Sequence, residues 1–326
     1  MTAIFRLLRE EMKILITGAA GSMSYYLADF IKNKVEARPG EHVVYGIGRK
    51  PIKKLDNFDQ YDALNIYWQP PSRITEYINE IKPDIVFHLA AIANVRQSFN
   101  EPRKFVSNNA GGTLNLLDGI VKSKYRPRIV HASTSEVYGN VPASLNPIRE
   151  CEPFAPVNFY AASKTMQEII FGTYAKVHDL EFVITRAFGY INSRREDLVA
   201  TSLARQLVKY ERGEIDEVRH GNLDPIRSFC DARDIAEAYW LAATRCDLGI
   251  YNIGSSEPCS IAMLALMLRT AAGLDNVPMV KDETLMRPTD IFACWPDVSK
   301  FRIATGWKPR RSLSESLKWL MECVRA

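Results

Sequence analysis

Short apolar runs alternate with segments of helical spacing through the first 186 residues, and this alternation limits the fold more than any other feature. The run at 12–16 is closed by Thr17-Gly18, and apolar positions then recur at helical spacing over 25–31. That reads as a buried strand, a glycine turn and a helix. The pattern returns as strand 42–47, helix 74–81, strand 84–89, helix 113–121, strand 128–132, helix 161–177 and strand 181–186. Parallel strands need crossover connections, so the chain is predicted to be α/β, a doubly wound parallel sheet with helices on both faces.

Beyond Arg186 the rhythm weakens. Helices are predicted at 198–212, at 231–244 with Asp231 as cap, and at 261–272 with Gly273 as stop. A final helix at 314–324 is opened by the box-like Ser312-Leu-Ser-Glu315, and 278–300 reads as irregular. Residues 1–188 are therefore expected to form a dinucleotide-binding domain to which 221–258 returns. Segments 189–220 and 259–326 are expected to form a smaller carboxyl-terminal lid over the strand ends, where open α/β sheets bind ligands.

Composition narrows the function. With 47% apolar and 25% charged residues the chain is globular, and a net charge of +4 without a polybasic run gives no nucleic-acid face. The six cysteines form no CxxC pair and the five histidines no ligand spacing, so neither a metal site nor a disulfide framework is expected. The first eleven residues hold an apolar piece too short for a secretory core, and no stretch reaches the ~20 apolar residues of a membrane span. A cytoplasmic enzyme with reduced thiols is expected, and Met12 is read as the start of the folded part.

Two elements carry chemistry. Thr17-Gly-Ala-Ala-Gly-Ser-Met-Ser24 lies between a predicted strand and a predicted helix, the setting in which glycines cradle a pyrophosphate in a Rossmann-type fold. Gly18 would make the turn and Gly21, Ser22 and Met23 would meet the phosphates; Ser24 stands where the usual pattern has a third glycine. The second strand ends Gly46-Ile-Gly-Arg-Lys50 without an acidic ribose ligand. Arg49 and Lys50 sit where a 2′-phosphate would lie, which favours NADP(H) over NAD(H), the alternative being a solvated basic loop. Tyr160-Ala-Ala-Ser-Lys164 spaces a phenol and an ammonium one helical turn apart. A phenol of pKa about 10 is a poor base near neutrality, but a nearby ammonium and an oxidised nicotinamide lower it into use. Alone this spacing is a common accident; beside the glycine turn and the strand-end Ala132-Ser-Thr-Ser-Glu-Val-Tyr-Gly139 it reads as acid/base machinery.

These stretches, with His88-Leu-Ala-Ala91, the run from Asn109 to Leu117, the run from Gly221 to Arg227 and Arg287-Pro-Thr-Asp290, resemble the extended short-chain dehydrogenase/reductases (the NAD-dependent epimerase/dehydratase family) over essentially the whole chain. Within them the enzymes of GDP-mannose modification, the 4,6-dehydratase and the 4-keto-6-deoxymannose reductase, are most similar. The resemblance implies Thr134, Tyr160 and Lys164 as a catalytic triad and Glu136 as the dehydratase's carboxylate. It further implies Leu89, Ala90, Ala91 and Asn109 beside the cofactor, with His88 bordering it. Asn222, Arg227 and Arg287 would bind a GDP-linked nucleotide-diphosphate sugar, and a homodimer or homotetramer would form through the helices near Thr113 and Tyr160. Arg194 and Arg195, in a loop that departs from the family, are candidates for a phosphate, against a solvated loop. Other departures are Gly189 in place of an asparagine, Arg227-Ser-Phe229, and an adenine-facing aspartate not evident near Gln69. The leading reading is a 4,6-dehydratase. A 4-keto-sugar reductase or related epimerase and a non-catalytic dinucleotide-binding regulator are the alternatives.

Overall fold

A computed structural model describes residues 11–35 and 42–326; the leading apolar piece at 1–10 lies outside them. Seven strands form one sheet, in the order Gly249–Ile253, Phe182–Ala187, Arg128–Thr134, Ile85–His88, Lys13–Thr17, Val43–Ile47 and Gln60–Asp62. Every neighbouring pair is parallel. The chain enters at Lys13–Thr17, winds to one edge, then crosses back and winds to the other, so the order reverses between Lys13–Thr17 and Ile85–His88. The crevice at the carboxyl ends of those two strands is where such sheets bind ligands.

Strand periodicity fixes the layers. Ile14 and Ile16 pack in the core that holds helices Ser22–Asn33 and Ala232–Arg245, whereas Leu15 packs in the core of Pro71–Ile81, Gly112–Lys122 and Phe159–His178. Helices Val199–Glu211, Ile261–Ala272 and Leu313–Arg325 enclose a third core around Leu203, Leu207, Leu264, Leu268, Leu317 and Leu320. Their ends follow the sequence. Ser260 caps Met263, Gly273 stops its helix at φ +76°, and Ser312 and Glu315 form the full capping box.

Three details depart from the sequence reading. Gln60–Asp62 is an edge strand that was not anticipated, since three residues show no periodicity. The stretch 278–300 is not irregular throughout: Met279–Lys281 and Ala293–Cys294 pair with Val218–His220 and Ile226–Ser228. Phe301 and Trp307 lie within the segment expected to be lid, yet they pack into the core around Ile14 and Tyr251. The helix Ser299–Thr305 carries them back to the edge strand Gly249–Ile253. Among the described residues no helix is long and apolar enough to cross a membrane, and no cluster of His, Cys, Asp or Glu could hold a metal.

Candidate active site

Gly18 turns the chain at φ +71°, and a Cβ there would lie 2.8 Å from Ala90 Cα, so only glycine lets the first and fourth strands' loops approach. The Gly21 N–H and the Ser24 hydroxyl both donate to Gly18 O at 2.8 Å, so serine at the third position closes the turn instead of disrupting it. Gly21 precedes helix Ser22–Asn33 without a side-chain cap. The orphan N–H groups of that twelve-residue helix, with Gly21, Ser22 and Met23, face a cavity of about 560 Å³.

Thr134, Glu136, Tyr160 and Lys164 line the same cavity. The strand Arg128–Thr134 runs two residues further than expected and delivers Thr134 to the rim, where its hydroxyl bonds the Tyr160 phenol. Asn158 caps helix Phe159–His178 through Ala161 N at 2.8 Å and also donates to Glu136 Oε2 at 2.8 Å. Lys164 Nζ donates to Ala132 O at 2.7 Å. Burial pushes the Lys164 ammonium down to about 7, with Glu168 opposing, and pushes the Tyr160 phenol up, with the Arg195 guanidinium opposing. An ammonium brought toward neutrality by burial, one helical turn from a phenol in the same cavity, is suited to proton transfer.

Behind these groups lies a buried ion pair. Arg186 Nη2 meets Glu168 Oε2 at 2.8 Å with both side chains 2% exposed, the Ser133 hydroxyl donates to the same carboxylate, and Arg186 Nη1 donates to Glu150 O at 3.1 Å. The guanidinium also lies 4.7 Å from the Tyr138 ring centroid. Glu168 lies one turn beyond Lys164, and Arg186 lies on strand Phe182–Ala187 opposite Ser133, so the pair ties the helix to the strand beside the one that carries Thr134.

The cavity is also lined by Asn222, Arg227, Arg287, Arg96 and Arg219, and by Arg195, which acts on the Tyr160 phenol. Arg227 Nη2 pairs with Asp290 at 3.3 Å, and Arg195 pairs with Asp197 at 2.8 Å while donating to Ala93 O at 2.7 Å. Arg219 pairs with Glu217 at 3.1 Å, whereas Arg96 and Arg287 have no ion pair among the described residues; this cationic wall suits a ligand carrying two phosphates.

The chain matches the family described as GDP-mannose 4,6 dehydratase over residues 15–320. It belongs to that family. A GDP-6-deoxy-D-mannose reductase of Pseudomonas aeruginosa is 28% identical over 242 residues, 73% of this chain and 79% of that protein. A GDP-mannose 4,6 dehydratase of Caenorhabditis elegans is 26% identical over 348 residues, 95% of this chain and 88% of that one. Among solved structures, UDP-glucuronic acid 4-epimerase from Bacillus cereus, in complex with UDP-glucuronic acid and NAD, aligns with a TM-score of 0.81 at 26% identity, covering 96% of this chain and 99% of that one.

Against the expectations drawn from the GDP-mannose 4,6 dehydratase family, the structure gathers most of the named residues and sets some apart. Leu89 and Ala91 line the cavity; Gly18, Ala90, Asn109, Arg49, Lys50 and Arg194 do not. Asn109 clamps a loop, bonding both polar atoms of Ile92 and Ser163 Oγ, the last at 2.8 Å. His88 does not border the cavity; its ring is buried between Thr17 Oγ1 and Thr113 Oγ1, each 2.9 Å away. Arg194 is exposed and lies 3.9 Å over the Tyr25 ring, because Asn192 and Ser193 bond Ser22 and Tyr26 and pin the loop to that helix. An aspartate does exist near Gln69: Asp62 ends the unforeseen edge strand and shares a cavity of about 250 Å³ with it. At Gly189 a Cβ would lie 2.5 Å from Ser228 O, so the strand pairing of Tyr190 with Cys230 excludes the family's asparagine. Sequence reasoning missed Asn158, Glu168, Arg96 and Arg219. The spacing 160, 164, 168 on one helical face was the available signal for Glu168.

Proposed function

We propose that the chain is an NADP(H)-dependent 4,6-dehydratase that converts a GDP-mannose-type nucleotide sugar to its 4-keto-6-deoxy product. One observation carries the reading: a carboxylate, Glu136, shares the cavity with Thr134, Tyr160 and Lys164 and is held by Asn158. A nicotinamide held here would supply the reversible hydride transfer that oxidation at C4 and reduction at C6 require. The rest is work for this chain's own residues. Thr134 bonds the oxygen at C4, and Tyr160, as phenolate beside Lys164, takes the proton of the C4 hydroxyl. A carbonyl at C4 acidifies the C5 hydrogen. Glu136 removes that proton, the C6 hydroxyl departs with it as water, and the proton stored on Tyr160 balances the one later delivered to C5. The uncapped helix start at Gly21, Ser22 and Met23 is suited to the dinucleotide pyrophosphate, and exposed Arg49 and Lys50 to a 2′-phosphate, with NAD(H) as the alternative. Arg227, Arg287 and Arg195, with Asn222, are suited to the nucleotide-sugar diphosphate.

A homodimer is proposed for the faces of Phe159–His178 and Gly112–Lys122, where Met166, Ile169, Val177 and Leu114 are exposed. The test of function is incubation with GDP-mannose and NADP⁺. A 4-keto-6-deoxy product from the native chain, and none from Glu136→Gln, supports the reading. No product from GDP-mannose, together with NADPH consumption on the 4-keto sugar, replaces it by the reductase.

A further inference from the structure

Asn158 stands one residue before the helix that carries Tyr160 and Lys164, and its short side chain is used twice. Its partners fix its orientation. The Ala161 N–H can only donate, so the atom 2.8 Å from it is the amide oxygen, and the amide nitrogen is the atom 2.8 Å from Glu136 Oε2. Capping alone does not explain an asparagine here, because serine or aspartate caps a helix equally well. Asparagine alone among these caps sets an amide N–H donor on a separate atom from the capping oxygen, and that donor is spent on the carboxylate. Among the described residues no protein donor bonds Glu136 Oε1, while the Thr134 hydroxyl accepts from the Glu136 backbone N–H at 3.3 Å.

We propose that Asn158 is the positioning residue of the elimination step: by holding Oε2 it leaves Oε1 as the one oxygen that receives the C5 proton, and it locks that oxygen to the helix of Tyr160 and Lys164. The assignment rests on the dehydratase reading. The titratable groups facing Glu136 from other elements are the Tyr160 phenol and the Cys294 thiol on strand Ala293–Cys294, and Arg227 lies near that thiol. Burial raises both, Cys294 to about 12. The amide donor bonds the half-buried carboxylate without supplying a proton of its own.

Two substitutions separate positioning from capping. Asn158→Asp keeps the cap but sets a second carboxylate against Glu136, and two such groups at this distance do not both ionise. Turnover at neutral pH should fall at least about tenfold and the acid limb of the pH profile should move upward by about one unit or more. Asn158→Gly weakens the cap only slightly and withdraws the donor; turnover should fall about fivefold, as for one hydrogen bond. Asn158 does not line the cavity, so KM should hold in both while kcat falls. With GDP-mannose in D₂O, loss of a C4 label should keep its rate while deuterium uptake at C5 slows. Variants with native pH limb, kcat and C5 uptake overturn the assignment; if Asn158→Asp does not fold, Asn158→Gly decides by kcat and C5 uptake. A native chain that takes no deuterium at C5 overturns the dehydratase reading and this assignment with it, whereas an active native chain beside indifferent variants overturns the role of Asn158 alone.

Discussion

The two ends of the cavity are built on different terms. At the inner end, Thr134, Tyr160 and Lys164 stand on a strand and a helix joined by the Ser133–Glu168 and Asn158–Glu136 hydrogen bonds, the buried Glu168–Arg186 pair fastens the helix to the next strand, and each polar group has its bonds inside the protein. At the outer end, Arg227 meets the one carboxylate of Asp290 and Arg287 is exposed. The inner groups are held by the fold before any ligand arrives; at the outer end backbone carbonyls fix Arg227, and Arg287 stands open to a phosphate. Pre-organisation serves bond-making at one end, and available charge serves recognition at the other.

That contrast sorts the consequences of substitution. The largest effect is expected at Tyr160→Phe, which removes the proton acceptor and should lower turnover roughly 10²–10⁴-fold while cofactor titration stays native. Near-native turnover would take the phenol out of the mechanism. Next, Glu168→Ala leaves the fully buried Arg186 unpaired and should cost about 3–5 kcal/mol in denaturant unfolding. Arg227→Ala, at the outer end, should cost stability less than about 1 kcal/mol yet weaken nucleotide-sugar binding roughly tenfold. Equal destabilisation by the two would erase the distinction between the ends.

Much of this contrast is also a contrast in legibility. The strand–helix alternation, the glycine turn and the YxxxK spacing were readable because each is a periodic or fixed-offset pattern imposed by the backbone. Glu168 and Asn158 were not, since a polar residue on a helix looks solvated until the packing shows it 4% or 8% exposed. The doublet Arg194-Arg195 was legible as charge but not as direction: adjacent residues diverge, and one stacks on Tyr25 while the other enters the cavity. The edge strand ending at Asp62 is too short to announce itself, and the exclusion of a side chain at Gly189 comes from Ser228, 39 residues away in sequence, held there by the pairing of Tyr190 with Cys230.

Smaller effects sharpen the same comparison. Arg49 and Lys50 are exposed, so one charge-assisted contact with a 2′-phosphate is worth about a factor of ten. Arg49→Ala should weaken NADP(H) by that factor in a binding titration and leave NAD(H) unchanged; unchanged NADP(H) affinity would remove the basis for preferring it.

Behind the inner end, burial pushes His88 down to about 3 and His131 well below its ordinary value, Lys164 adding to both. Unfolded imidazoles take their proton near 6.5, so between about 6.5 and 3 the unfolded chain binds more protons and stability falls as pH falls. Above that window these two residues add no pH dependence. His131 stacks on Phe171 at 4.7 Å with neither ring nitrogen bonded. His131→Phe should therefore raise the melting temperature more at pH 5 than at pH 8; an equal change at both would assign acid sensitivity elsewhere.

The central claim, that hydride leaves C4 and returns to C6 within one cavity around Glu136 and Tyr160, is tested most directly with GDP-mannose deuterated at C4. The account predicts deuterium at C6 of a 4-keto-6-deoxy product, with no net change in reduced nicotinamide. Deuterium appearing in free reduced cofactor, or no reaction with this sugar while NADPH is consumed on the 4-keto sugar, would contradict it.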